Sequence, residues 1–264
     1  MEHKALEVRD LSVAFRTGAA LIYANRDVSF EHEQGEWLSV MGPSGSGKTV
    51  LGRAIAGLTI GAPGIVKGTI SFRGHNLLDT LPDFVLAYRN NGTGGFRKDV
   101  QRWQKRHWRN ITMHARNQFA YIFQNPYDAL NPYVPISRHL KEAFLAGGIP
   151  LDEIAEKSKE LFVQLRLTPP ERIVRCYPHE LSGGMAQRVA VAMAMAQRAS
   201  YIIADECTSS LDPASAHGTL DLLHQLQDER GCSVLFISHD AELAQSFSHR
   251  MLKMDRGELK VEER

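Results

Sequence analysis

Cysteine is scarce in this sequence: three residues, Cys176, Cys207 and Cys232, in a chain of 264. An odd count without metal-ligand spacing excludes a disulfide framework and a cysteine metal site, and it fits free thiols in a reducing compartment. An excess of one charge is also missing, with 31 Lys and Arg against 30 Asp and Glu. No global field therefore draws the whole chain toward nucleic acid. No apolar run approaches the roughly 18–20 residues of a membrane span, and the opening Met1-Glu-His-Lys4 lacks the apolar stretch of a signal peptide. The expectation is a soluble, cytoplasmic chain. Internal repeats, low-complexity tracts, sustained heptads and paired C-x2-C motifs are absent too, which excludes repeat arrays, long coiled coils and inserted zinc modules. What is present is 43% hydrophobic and 23% charged, enough for one large α/β domain with a small helical subdomain.

The run Gly42-Pro43-Ser44-Gly45-Ser46-Gly47-Lys48-Thr49 fits G-x-x-x-x-G-K-[ST] and follows the apolar run Trp37-Leu-Ser-Val-Met41, the strand-then-loop context that a phosphate loop requires. Gly42, Gly45 and Gly47 open backbone conformations closed to residues with a Cβ, so successive N–H groups can turn inward around a polyphosphate. Val50, Leu51, Ala54, Ile55 and Leu58 recur at helical spacing, so a helix starts at the loop with its N-terminal dipole facing the phosphates. Lys48 is expected to reach the β- and γ-phosphates of ATP, and Thr49 to offer a hydroxyl to Mg2+.

A second anchor is Tyr201-Ile-Ile-Ala-Asp205-Glu206, an apolar run that ends in two carboxylates. It reads as a buried parallel strand delivering acids to its C-terminal edge, the Walker B pattern. Asp205 is the expected Mg2+ holder and Glu206 the general base that polarises the attacking water. An Asp-Glu pair alone is a solvated turn more often than a site; the phosphate loop reverses that weighting.

With these motifs in place, Leu181-Ser182-Gly183-Gly184-Met185 resembles the signature motif of the ATP-binding subunits of ABC transporters, and it precedes the Walker B strand as in that family. The resemblance extends to Gln124 after Phe119-Ala-Tyr-Ile-Phe123 (the Q-loop), to Ser209-Ser210-Leu211-Asp212 (the D-loop) and to His239 after Ser233-Val-Leu-Phe-Ile-Ser238 (the switch histidine). It implies a P-loop NTPase of the ABC type: an α/β core with a mostly parallel sheet and flanking helices, an antiparallel β subdomain and a helical signature subdomain. It further implies that Glu206, His239 and Gln124 act in catalysis and that Thr49, Gln124 and Asp205 serve the metal. The nucleotide contacts implied are Gly42 through Thr49, with Val50, Asp212 and an adenine-stacking Phe15; Tyr23 is the weaker candidate for the ring. Ser182, Gly183 and Gly184 complete the site of a second subunit in a head-to-tail dimer.

Gln124-Asn-Pro126-Tyr-Asp-Ala-Leu130-Asn-Pro132 and Tyr177-Pro-His-Glu-Leu-Ser-Gly-Gly-Met-Ala-Gln-Arg188 look like the oligopeptide, dipeptide and nickel import branch. That resemblance implies a peripheral subunit on the cytoplasmic face of the plasma (inner) membrane, powering import of peptides, nickel or a related small solute. The partners implied are two transmembrane permease subunits, a second ATP-binding subunit, identical or related, and indirectly an extracytoplasmic solute-binding protein; nucleic acid is not an expected partner. The alternative is the ATPase of a soluble enzyme complex, such as the carbon–phosphorus lyase machinery, and behind it a nucleic-acid-associated ABC ATPase.

A single ABC domain over residues 1–264 is expected, with the β portion and catalytic core at about 1–78 and 186–256, and the Q-loop and helical subdomain at about 119–185. The helix behind the signature carries Val189, Val191, Ala192, Met195 and Ala196 as core. Three features depart from the family pattern. The chain stops soon after Met254-Asp-Arg-Gly257, which argues against a tail-borne cluster. Cys207 replaces the usual proline after the catalytic Glu, with hydrolysis expected to survive. A basic insertion at about 90–116 begins with Gly92-Thr-Gly-Gly95, expected to be flexible, and carries Arg97, Lys98, Arg102, Lys105, Arg106, Arg109 and Arg116 around Trp103 and Trp108, with Asp99 its one acid. The favoured reading is a solvated helix whose tryptophans pack on the body; contact with a membrane subunit or lipid headgroups ranks next and nucleic acid last.

Overall fold

In the computed structural model of the protein, residues 4–261 are described apart from 19, 60, 91, 92 and 210; the expectations for Gly92 and Ser210 thus lie outside the described residues. Long apolar alternation gives β1 (Lys4–Thr17) and β2 (Ala20–Glu33). They are followed by β3 (Trp37–Met41), α1 (Lys48–Ile55), β4 (Pro63–Phe72), the two-residue β5 (His75–Asn76), the hairpin of β6 (Val85–Asn90) and β7 (Thr93–Lys98), and α2 (Val100–His114). Next come β8 (Phe119–Ile122), α3 (Ile136–Ala146), α4 (Ile154–Gln164), the short α5 (Pro170–Ile173), α6 (Gly183–Gln197), β9 (Tyr201–Asp205) and α7 (Pro213–Arg230). β10 (Ser233–Ser238), α8 (Ala241–Phe247), β11 (Arg250–Asp255) and β12 (Glu258–Val261) close the described chain.

Two compact units contain these elements: residues 1–116 with 237–264, and residues 117–236. In the first, an antiparallel sheet runs in the order β2-β1-β4-β5, with Leu6 opposite Phe72 and Val8 opposite Ile70, which is the antiparallel portion that the sequence announces. β3 pairs in parallel with β11, and β12 adds antiparallel to β11. Trp37, Leu38, Ser39 and Val40 are fully buried, as a strand covered on both faces must be, and this is why its sequence is a continuous run rather than an alternation.

The basic insertion packs on this first unit by one face only. Asp99 caps α2 by accepting from the Arg102 N–H at 3.2 Å, and Trp103, His107, Asn110 and Ile111 are buried. Asn110 Nδ2 donates to the Leu77 carbonyl at 3.0 Å and to Asp79 Oδ1 at 2.9 Å. Gly57, at φ +72°, lies so close to Ile111 Cδ1 that a Cβ there would collide with it. The Lys98 ammonium stands 3.3 Å from the centre of the Trp103 ring and donates to the Ile65 carbonyl at 2.7 Å. Burial lowers its pKa from 10.5 to about 7. Two expectations need correction here. Residues 93–95, expected to open the insertion as a flexible start, belong to strand β7 paired with β6, and of the two tryptophans only Trp103 packs on the body, since Trp108 is 53% exposed.

In the second unit β8 and β9 pair in parallel, Phe119 opposite Tyr201 through Ile122 opposite Ala204, and β10 neighbours β9. β9 is buried along its whole length. Helix α6 starts at Ser182, whose hydroxyl accepts from the Met185 N–H at 3.3 Å, and it buries Val189, Val191, Ala192, Met195 and Ala196 as the core reading requires. Arg198 in the left-handed conformation ends it.

Candidate nucleotide and catalytic site

The phosphate loop links β3 to α1 in the first unit and is held from two sides. Asn25 Nδ2 on β2 donates to the Gly47 carbonyl at 3.1 Å, and the Gly257 N–H, in the turn between β11 and β12, donates to the Ser46 carbonyl at 2.9 Å. Gly47 has φ +105° and lies against the Ala24 carbonyl, where a Cβ would collide; only glycine combines that conformation with that approach. Because Gly47 precedes α1, no side chain caps the helix, and its first-turn amides face the loop with the positive end of the dipole. Lys48 is 4% exposed and folds back to donate to the Gly42 carbonyl at 2.8 Å and the Pro43 carbonyl at 3.0 Å. Ser46 Oγ is buried and has no hydrogen-bond partner among the described residues. A buried hydroxyl of this kind costs roughly 1–3 kcal/mol, and a phosphate oxygen in the loop would satisfy it. The loop therefore fits a polyphosphate on its own geometry.

Phe15 on β1 is half-buried, sits opposite Ile22 and Pro63, and lays its ring against Gly61. The pairing of β1 with β2 is irregular between Val13, opposite Asn25, and Ala14, opposite Tyr23. Tyr23 has the Arg26 guanidinium 5.0 Å from its ring centre. His239 follows β10, exposed, one residue before the Asp240 cap of α8.

The second unit carries the acids and the signature. Asp205 ends β9 at 1% exposure, and the Tyr121 hydroxyl on β8 donates to its Oδ2 at 2.7 Å. Glu206 follows in the left-handed conformation, φ +46°, and its Oε2 accepts from Gln124 Nε2 at 2.8 Å. A non-glycine residue held there is a local strain of the sort that accompanies functional positions. Cys207 is fully buried, and burial pushes its thiol up to about 12. Asp212 caps α7, accepting from the Ser215 N–H at 3.0 Å, and its carboxyl is held below the ordinary range first by the Ser215 hydroxyl and then by that N–H. Ser182 and Gly183 are exposed at the start of α6, while Gly184 lies in contact range of Leu211. The Tyr127 hydroxyl, in the turn after Gln124, donates to the Leu181 carbonyl at 2.9 Å, so the Q-loop and the signature share a hydrogen bond. Beside β8, a groove of about 470 Å³ is lined by Tyr121, Asn131, Arg138, His139, Glu142 and Met193 among others.

A profile described as ABC transporter matches residues 25–209. The chain belongs to the ABC transporter family. Among curated members it is 38% identical to the peptidoglycan transport ATP-binding protein YejF of Agrobacterium fabrum over 96% of this chain and 42% of that protein. It is 33% identical to the dipeptide transport ATP-binding protein DppD of Lactococcus lactis subsp. cremoris over 98% of this chain and 67% of that one. The chain thus spans between about four-tenths and two-thirds of these relatives. A solved ABC cassette, MJ0796 as a post-hydrolysis dimer with ADP and Pi, superposes with a TM-score of 0.75 at 25% identity, covering 98% of both chains. The fold is that of the ABC cassette, with parallel and antiparallel sheets and a helical portion.

Tyr121, Tyr127 and Asn25 are contacts that motif spacing did not reveal. Each is a polar side chain in an otherwise ordinary strand or turn, and its partner lies far away in sequence. Among the described residues no group of three or more His, Cys, Asp or Glu side chains is placed to hold a metal ion, and none of their helices is long and apolar enough to cross a membrane.

Proposed function

We propose that this chain is the ATP-binding and hydrolysing subunit of an ABC importer, peripheral at the cytoplasmic face of the membrane. The observation that carries the ATP assignment is the phosphate loop: an uncapped α1, a buried Lys48 and the partnerless Ser46 hydroxyl converge on one anion cradle. Gly42 through Val50 hold the phosphates, Phe15 stacks on adenine, and Thr49, Asp205 and Gln124 serve Mg2+. A donor set with one carboxylate fits that ion, which is bound through one or two carboxylates plus phosphate oxygens; when bound it neutralises charge on the transferred phosphoryl group. Glu206 is the general base. The amide of Gln124 fixes the plane of the Glu206 carboxylate, and His239 aligns the attacking water and the γ-phosphate.

Ser182, Gly183 and Gly184 start a helix with a hydroxyl and bare amides, chemistry suited to the γ-phosphate of a second subunit. The dimeric neighbour supports this arrangement. The cargo class is peptide-containing solutes, supported by relatives named for peptidoglycan and dipeptide transport. The groove beside β8 is the seat for a helix from a permease subunit, and two permeases complete the machine.

The test is to purify the tagged chain from membranes in mild detergent, identify its companions by mass spectrometry, and measure ATP turnover of the assembly. Two multi-spanning permeases and turnover abolished by Glu206→Gln are expected. Soluble enzymes in place of permeases would overturn the import assignment; full turnover in Glu206→Gln would remove Glu206 as the base.

A further inference from the structure

The outer face of α2 has no role in the nucleotide site, and it concentrates the positive charge of the molecule. Residues 99–114, α2 with its cap, hold four Lys and Arg against one Asp, a formal net of +3, whereas the whole chain has 31 against 30. Arg102, Lys105, Arg106 and Arg109 are all exposed, and Trp108, beside Lys105 and Arg109, is 53% exposed. The opposite face is anchored by buried Trp103, His107, Asn110 and Ile111, so the cations are presented by a rigid support rather than by a loose arm.

We propose that this face of α2 docks on an anionic phospholipid surface. Its cations meet headgroup phosphates, Trp108 sits at the headgroup level, and the long Arg and Lys stems lie along the interface. The exposed indole of Trp108 beside Lys105 and Arg109 is the ground for choosing a lipid surface over nucleic acid, because an amphipathic ring among basic stems suits the headgroup level. The proposal rests on the importer reading only for the presence of a membrane. The two fail separately, because lipid binding is measured on the isolated full chain and permease association in the detergent extract.

The test is sedimentation of the purified chain with vesicles of phosphatidylcholine, with and without phosphatidylglycerol. Binding to the mixed vesicles alone is expected, weakened by salt, with a blue shift of tryptophan emission. That shift reports Trp108, because Trp37 and Trp103 are 0% and 5% exposed. Each cation near the surface contributes about fivefold, so the triple variant Arg102→Glu, Lys105→Glu, Arg109→Glu should lower partitioning at least about a hundredfold at an unchanged melting midpoint. If that variant misfolds, Lys105→Gln with Arg109→Gln is the substitute, expected to lose about twentyfold. Equal binding to both vesicle types, no binding, unchanged binding of the variants, or preference for a single-stranded RNA over mixed vesicles would each overturn the proposal.

Discussion

Lys48 already donates to the carbonyls of Gly42 and Pro43, so an arriving triphosphate exchanges neutral acceptors for charged ones instead of meeting a free ammonium. The gain is the difference between a neutral and a charge-assisted hydrogen bond, roughly 1–2 kcal/mol each. Lys48→Ala is therefore expected to weaken ATP binding about thirty- to several-hundredfold in equilibrium titration with a fluorescent analogue, and an unchanged affinity would remove Lys48 from the phosphates. Tyr121 poses a subtler case. Its hydroxyl donates to the buried Asp205 carboxylate, which makes it a positioning residue for the proposed Mg2+ holder. In Tyr121→Phe the Mg2+ concentration for half-maximal turnover should rise several-fold while kcat at saturating Mg2+ stays near the parent value. A lowered melting midpoint with unaltered Mg2+ dependence would mark the hydroxyl as structural only. These two residues also show what the sequence reveals at this scale. Lys48 is legible because the groups it serves lie within six residues, so spacing encodes the chemistry. Tyr121 and Asp205 are 84 residues apart, and only the parallel register of β8 and β9 brings them together.

Helix α2 was legible as an element but not in its orientation, and the reason is geometric. Trp103 and Trp108 are five residues apart, which is about 140° around a helix at about 100° per residue, so one face cannot bury both. Which of them goes in depends on the surface offered by Gly57 and Leu77, and no local pattern announces that surface. The strand β7 is hidden for a related reason: Gly94 and Gly95 suggest a flexible start, and pairing with β6 overrides them. Burial makes the two sides of the helix energetically unequal. Ile111→Ala removes a side chain 8% exposed and packed on Gly57, and should cost about 2–4 kcal/mol in urea denaturation. Trp108→Ala, on the open side, should stay within about 0.5 kcal/mol of the parent. Equal losses at the two positions would mean that α2 does not pack as described.

Stability of the whole molecule against acid follows from two histidines that folding keeps neutral. His32 on β2 is fully buried, with its ring within hydrogen-bond distance of the Glu36 carbonyl at 3.0 Å; burial pulls its pKa from 6.5 to about 4. His107 on α2 is 4% exposed and stacked on Trp103, and burial pulls it likewise to about 4. Both folded values lie below the unfolded one, so between pH 6.5 and pH 4 the unfolded chain binds more protons than the native one. The stability that the neutral rings confer is complete above pH 6.5 and is lost as the pH falls toward 4. Two protons taken up together give a slope of about 2.5 kcal/mol per pH unit in the middle of that window. The expected result is a urea midpoint that is flat just above neutrality and falls steeply below about pH 6. Replacing His107 with Gln should reduce that slope by about half, whatever it does to the midpoint at neutral pH. A midpoint insensitive to pH across the window would show that these rings are protonated, or solvated, in the native state, and the packing of α2 on the first unit would then have to be redrawn.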